Sequence, residues 1–267
     1  MEKALDGCPN TLIKNKKGVY KMKFSRSLKT HFGFSNVDAA HKSNLVQNVF
    51  SNVANSYDVM NDFMSLGVHR YWKSHFVKRM SPMPTMNVLD VAGGTGDIAF
   101  KINSYSPSTT IKVIDLNREM LIHGQKRNKS RHIEFEQGNA EELVAIPDNS
   151  QDVYCIVFGI RNCTHIHKVV NEAHRVLKIG GRIMVMEFSK VHPLFQPAYD
   201  WYSFNIIPQL GKYVANDEAS YKYLVESIRM FPTQDEFQQV LSQKFTVDPF
   251  ENLTGGIATI WSGYKVN

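Results

Sequence analysis

The stretch Val91-Ala92-Gly93-Gly94-Thr95-Gly96-Asp97 follows a short apolar run, and its glycines let the backbone turn tightly and let a ligand come within contact of main-chain N–H groups. Asp115 stands 19 residues beyond Gly96, at the end of a second apolar run. A carboxylate so placed accepts hydrogen bonds from both hydroxyls of a ribose. Asn139 and Ala140 close a third run, where an adenine ring would lie. These residues, with Gly93 and Thr95 in the loop, describe a nucleoside-bearing ligand lying across three strand tips. Two chemistries fit. Residues 94–99 (GTGDIA) match G-x-G-x-x-A, so an NAD-dependent oxidoreductase is one reading. S-adenosylmethionine is the other. Asp90 and Asp97 bracket the loop with negative charge where a pyrophosphate would sit, and a sulfonium with an aminoacyl tail tolerates that charge.

Arg161-Asn162 ends a fourth apolar run, where the ligands of parallel sheets meet. Arginine stays charged at any useful pH, so Arg161 suits stabilising an anion and orienting a water or carboxylate rather than taking a proton itself. Asn162 can hydrogen-bond a ligand oxygen. Glu187, at the end of a fifth run, reads as a base or as half of a sheet-end ion pair. Cys8, Cys155 and Cys163 form neither a disulfide framework nor a metal-ligand spacing, and His165 and His167 have no third ligand nearby, so no metal is expected.

The elements that must hold these residues are legible from periodicity. Helices are predicted over 44–54 and 63–80, with a break at Ser81-Pro82-Met83-Pro84. Strands over 87–92, 111–116, 133–135, 152–158 and 182–188 then alternate with helices over 96–105, 117–127 and 164–177. Asn117 is the N-cap of the second of these helices, and Gly180-Gly181 closes the third. A last helix over 233–242 precedes strands over 245–250 and 258–264, joined through Gly255-Gly256 as an antiparallel hairpin. The plan is α/β: a class I methyltransferase (Rossmann-like) fold, with a mostly parallel seven-stranded sheet and a C-terminal antiparallel hairpin. A dinucleotide fold would continue with parallel strands, so the hairpin also favours S-adenosylmethionine.

Composition narrows the classes. The chain has 267 residues, 43% hydrophobic and 21% charged, which excludes a disordered or low-complexity chain. No window approaches the roughly 20 apolar residues of a membrane span. The net charge of +6 resides wholly in residues 1–30, so the rest is neutral, which argues against nucleic acid as a partner. Residues 1–30 therefore read as a basic arm, disordered or targeting. Residues 31–267 read as the methyltransferase domain, with N-terminal helices (43–80) and an aromatic insertion (189–230). That insertion carries Phe195, Tyr199, Trp201, Tyr202, Phe204, Tyr213, Tyr221 and Tyr223, and fits either a lid or core packing.

The strings YDVMNDFMSLGVHRYWK (57–73), VLDVAGGTGDIAF (88–100), GNAEELVAIPDNS (138–150), FGIRNCTHIHKVVNEAHRVLKIGGRIMVMEFSK (158–190) and ESIRMFPTQDEF (226–237) resemble the ubiquinone/menaquinone C-methyltransferase family over about residues 31–265. THFGF at 30–34 is similar to its eukaryotic mitochondrial branch. The resemblance implies methyl transfer from S-adenosylmethionine to a ring carbon of a polyprenyl methoxy-benzoquinol in ubiquinone biosynthesis. It implies cofactor contacts at Thr95, Asp115, Asn139 and Ala140, and substrate roles for Arg161, Asn162 and Tyr57, whose hydroxyl would reach over the ring. It also implies a mitochondrial location on the matrix side of the inner membrane, held peripherally, with other ubiquinone-biosynthesis proteins or a homodimer as assemblies. Val157 stands where the family often has a cofactor-touching serine, Ile179 where it has a proline, and 144–148 departs from its usual Pro-Phe-Pro-Asp.

Overall fold

The computed structural model describes residues 10–14, 20–24, 29–53, 62, 65, 67–212 and 217–267. Within the basic arm, Asn10–Lys14 pairs antiparallel with Tyr20–Phe24. A second hairpin, Lys29–Phe32 with Ser35–Asp38, leads into helix α1 (Ala39–Val53) and, further on, α2 (His69–Met80). Helix α1 begins five residues earlier than predicted and α2 six later. Residues 63, 64 and 66 of the predicted second helix lie outside the described residues.

The alternation then follows the sequence closely: β1 (Asn87–Val91), α3 (Asp97–Tyr105), β2 (Thr110–Asp115), α4 (Arg118–Arg127), β3 (Ile133–Gln137), β4 (Gln151–Val157), α5 (Ile166–Val176) and β5 (Leu177–Phe188). Asn117 caps α4, its Oδ1 accepting from Met120 N at 3.1 Å. Helix α5 stops for a reason the local sequence does not carry. The buried Lys265 Nζ donates to the carbonyls of His174 (2.8 Å) and Leu177 (2.9 Å), so a residue near the C-terminus satisfies the helix end. Gly180-Gly181 falls within β5 and not at the helix end.

The insertion folds as α6 (Gln196–Asn205), a single turn α7 (Ile207–Leu210) and α8 (Glu218–Met230). Helix α9 (Gln234–Ser242) starts with a capping box between Thr233 and Glu236. The predicted strand over 245–250 is instead two short ones, β6 (Thr246–Val247) and β7 (Glu251–Leu253), both pairing with β8 (Ala258–Tyr264). Pro249 lies in the gap and has no N–H to give a ladder.

The sheet order is β6-β8-β5-β4-β1-β2-β3, with β7 sharing the edge of β8 beside β6, which gives eight strands in seven positions. Pairings from β5 to β3 are parallel, and β8 runs antiparallel to β5 over its whole length. The two-residue period of a strand divides the core between the faces. Val88, Cys155, Val157, Met184 and Met186 pack with Trp72, Phe76, Ile98, Leu224 and Ile228 from α2, α3 and α8. Leu89, Val91, Tyr154, Ile156 and Val185 pack with Val169, Val170, Phe237 and Leu241 from α5 and α9.

The insertion divides in the same way. Tyr221 and Tyr223 are buried core residues, whereas Phe195, Trp201 and Phe204 are exposed, and Tyr213 lies outside the described residues. Among the described residues, no helix is long and apolar enough to cross a membrane.

Candidate active site

Strand β1 has β2 on one side and β4 on the other, so the chain leaves it in opposite directions and opens a crevice at the carboxyl ends of the strands. A cavity of about 280 Å³ occupies that crevice. Its floor is Ala92 and Gly94 after β1, Asp115 to Asn117 after β2, Gly138 to Glu141 after β3, and Phe158, Gly159 and Asn162 to His165 after β4. Helix α1 roofs it with Ser43, Val46, Gln47 and Phe50. The roof is tied down twice. Asn117 Nδ2 donates to Gln47 O (3.2 Å) and Ser51 Oγ (3.0 Å), and the buried Lys42 Nζ donates to Cys163 O at 2.9 Å.

The floor is strained at adjacent strand tips. Ala92 (φ 52°) and Phe158 (φ 56°) both adopt the left-handed region without being glycine, a cost that concentrates where a site needs shape. Gly159 fits between them because a Cβ there would lie 2.6 Å from that of Ala92.

Asp115 holds the loop and still has capacity for a ligand. Its Oδ2 accepts from Gly94 N and its Oδ1 from Asn117 N, each at 2.8 Å. Burial pushes its carboxyl up against the pull of these N–H groups. Each carboxylate oxygen has further lone pairs, and the residue lines the cavity. Gly94 (φ +55°) brings bare backbone to the same wall. Asn139 and Ala140 line the third side. Gly93 and Thr95 lie behind the wall: Gly93 N donates to Ile114 O at 3.1 Å, and Thr95 is buried.

The two bracketing acids part company. Asp97 turns away to Lys73 (2.9 Å) and Arg127 (3.3 Å), so its charge is neutralised outside the cavity. Burial opposes its ionisation, but the two cations outweigh that and hold the carboxyl below its ordinary range. Asp90 stays fully buried beneath the glycine loop. Its Oδ1 takes a weak contact from Cys155 Sγ at 3.8 Å, the backbone N–H of Ala99 also pulls on the carboxyl, and its side-chain Oδ2 has no close hydrogen-bond partner among the described residues. Burial pushes Asp90 up to about 7. A buried acid short of donors, a free-faced Asp115 and a glycine wall suit a cationic nucleoside such as S-adenosylmethionine, and are poor company for a pyrophosphate.

On the β4 side, Asn162 lines the cavity but Arg161 does not. The Arg161 guanidinium is buried and donates from Nη1 to Glu187 Oε1 and to Phe158 O, each at 2.7 Å, and from Nε to Ser227 Oγ at 3.3 Å. Its Cζ sits 5.5 Å over the Phe188 ring. Burial pushes Glu187 up even with Arg161 beside it. Of the two readings for Glu187, the ion pair is the one found. Arg161 thus acts on the turn that carries Asn162.

Three features escaped the sequence reading. Tyr223 of α8 donates its hydroxyl to Asn162 Oδ1 at 3.0 Å, a pairing across 61 residues with no local signature. His165 Nδ1 meets Glu141 Oε2 at 2.8 Å on the cavity wall. Burial opposes ionisation of Glu141, and the His165 contact and two backbone N–H groups overcome it, leaving the carboxyl below its usual range. The roof formed by α1 was the third. Tyr57 lies outside the described residues.

A profile of the ubiE/COQ5 methyltransferase family matches residues 38–265. A Caenorhabditis elegans protein named 2-methoxy-6-polyprenyl-1,4-benzoquinol methylase, mitochondrial, is 50% identical over 244 residues, covering 89% of this chain and 85% of that protein. The ubiquinone/menaquinone biosynthesis C-methyltransferase UbiE of Dinoroseobacter shibae is 48% identical over 242 residues, covering 89% and 97%. Among solved structures, the [4+2]-cyclase SpnF superposes with a TM-score of 0.63 at 15% identity, covering 84% of this chain and 96% of that one. Phosphoethanolamine N-methyltransferase 2 of Haemonchus contortus, in complex with S-adenosyl-L-methionine, gives 0.57 at 15% identity, covering 74% and 53%.

Proposed function

Because the chain belongs to the ubiE/COQ5 methyltransferase family, and is an S-adenosylmethionine-dependent C-methyltransferase, we propose that it methylates a ring carbon of a 2-methoxy-6-polyprenyl-1,4-benzoquinol in ubiquinone biosynthesis. The observation that carries this reading is one cavity holding a free-faced carboxylate, Asp115, and an amide, Asn162, on opposite strand tips. When bound, S-adenosylmethionine supplies an electrophilic methyl on a sulfonium. The ring carbon forms its C–C bond as the S–C bond breaks, a ring hydroxyl gives up its proton, and the displaced ring hydrogen leaves as a second proton while the hydroxyl is restored. The chain supplies alignment and a dry wall for this displacement.

Asp115 holds the ribose hydroxyls, Gly94 lets the ligand approach backbone, and Asn139 and Ala140 flank the adenine. Gly93 and Thr95 shape the loop from behind. Asn162 hydrogen-bonds the ring oxygen beside the reacting carbon. Arg161 is a positioning residue, pinned to Glu187 beneath the turn. Tyr57 is assigned to the ring by its place in the first family string.

The polyprenyl tail gives about 0.8 kcal/mol per buried methylene, so its surroundings must be apolar. We assign it the exposed aromatics of the insertion, which also suit peripheral attachment to the matrix side of the inner mitochondrial membrane. The basic arm then serves as a targeting segment. Assembly with other ubiquinone-biosynthesis proteins, or as a homodimer, belongs to the same proposal.

The test is transfer of labelled methyl from S-adenosylmethionine to a short-tail methoxy-benzoquinol. Labelled ring product is expected. Binding of S-adenosylhomocysteine with no turnover, even with partner proteins present, would instead make the chain a scaffold.

A further inference from the structure

Helix α8 holds the substrate-side turn by two residues on one face, four apart. Ser227 Oγ accepts from Arg161 Nε, and Tyr223 donates its hydroxyl to Asn162 Oδ1 at 3.0 Å. Tyr223 is buried, and its ring stacks on Phe32 at 4.1 Å between centroids. Among the described residues, Asn162 Oδ1 is the acceptor the structure gives that hydroxyl. Turning the amide over would leave the phenol oxygen to accept from the NH2 and strand the buried hydroxyl hydrogen without an acceptor, which disfavours it. The Asn162 oxygen is therefore committed to Tyr223, and the NH2 group is left for the cavity the residue lines.

We propose that Tyr223 is a positioning residue that fixes Asn162 as a donor, so that the site prefers an ionised ring oxygen beside the carbon to be methylated. An amide free to turn serves a hydroxyl and a phenolate almost equally. One locked with N–H outward serves the phenolate, the form whose ring carbon is nucleophilic. This rests on the ring-methylation reading above. The other charged or titratable groups around the turn are the Arg161–Glu187 pair behind it, Cys163 beside it, Lys42 from α1, Glu141, His165 and Lys168 on the wall, and Asp115 across the cavity. They are the same in wild type and in a Tyr223 variant, so a difference between the two isolates the hydroxyl.

The experiment titrates a methoxy-nitrophenol, whose absorbance separates phenol from phenolate, on protein saturated with S-adenosylhomocysteine. Wild type is expected to lower the apparent pKa of the bound phenol below its free value. Tyr223→Phe, which keeps the ring on Phe32, should give back about tenfold of that phenolate preference, one hydrogen bond to a charged acceptor. Asn162→Ala should lose the preference, and adding Tyr223→Phe to it should change nothing further. With a short-tail quinol, Tyr223→Phe should lower kcat about tenfold and leave KM within about twofold. The proposal is overturned by a wild type that does not lower the probe's pKa, by a Tyr223→Phe variant that matches wild type or no longer binds S-adenosylhomocysteine, or by a Tyr223→Phe loss that persists in full on Asn162→Ala. A wild type that shifts the probe but methylates no quinol defeats the ring-methylation reading alone.

Discussion

Asp115 carries two loads at once. Its oxygens hold Gly94 N and Asn117 N, and its remaining lone pairs face the cavity. Asp115→Ala removes both, so S-adenosylhomocysteine affinity should fall by about a hundredfold or more, from two hydrogen bonds to a charged acceptor at about 1.5–3 kcal/mol each. Calorimetric titration measures it, and an unchanged Kd would remove the ribose assignment. Asp90 gives the opposite sign in stability. Burial raises its folded value to about 7, above the ordinary carboxylate value. The folded state then binds the proton more tightly, so its contribution to stability falls as pH rises from about 4 to about 7 and stays low above that. Asp90→Asn should therefore raise the unfolding free energy of the ligand-free protein at pH 8, by at most roughly 4 kcal/mol, and should change little at pH 4, as denaturant titration at the two pH values measures. A gain at pH 4 equal to that at pH 8 would show that the charge is not its source.

At the scale of elements, the Arg161–Glu187 pair is the joint between the β4 turn and the end of β5. Arg161→Ala strands a buried carboxylate and should cost about 3–5 kcal/mol in denaturant unfolding, with turnover lost along with the turn. Adding Glu187→Gln should recover part of the stability; if it recovers none, the pair is not what the arginine provides. Such joints explain what the sequence could and could not tell. β1, β2, β4 and β8 announce themselves as short apolar runs, and the glycine loop and Asp115 lie at their tips by spacing alone, so the β1–β2 side of the cavity was legible. The β4 side was not. Its partners come from far along the chain: Tyr223 to Asn162 and Ser227 to Arg161. No local pattern encodes a bond across 61 residues. The 245–250 strand was misjudged because its apolar residues outweighed the missing N–H of Pro249.

At the scale of the molecule, the hairpin Lys29–Phe32 and Ser35–Asp38 links the cavity wall to the surface. Phe32 stacks on Tyr223, and two residues on, Phe34 lies 6.4 Å from Phe204 across ring centroids. Phe34 N is held by Glu226 Oε2 at 3.1 Å, so the hairpin cannot drift from α8. Phe204 is itself exposed, with the Arg229 guanidinium 5.4 Å over its ring. Trp201 is 63% and Leu194 76% exposed, with Phe195 and Phe34 also open to solvent. Exposed aromatics gathered on one helical insertion are the surface proposed above for the tail and the membrane. If the patch is where the protein meets the bilayer, Phe195→Ser with Trp201→Ser should abolish co-sedimentation with vesicles of mixed neutral and anionic lipid. The same variant should leave turnover of a short-tail quinol within about twofold and raise KM only for long-tail quinol in vesicles, because the lost term is burial of apolar area outside the cavity. Equal losses on both substrates would place these aromatics in the wall of the site, and unchanged vesicle binding would move membrane contact elsewhere on the chain.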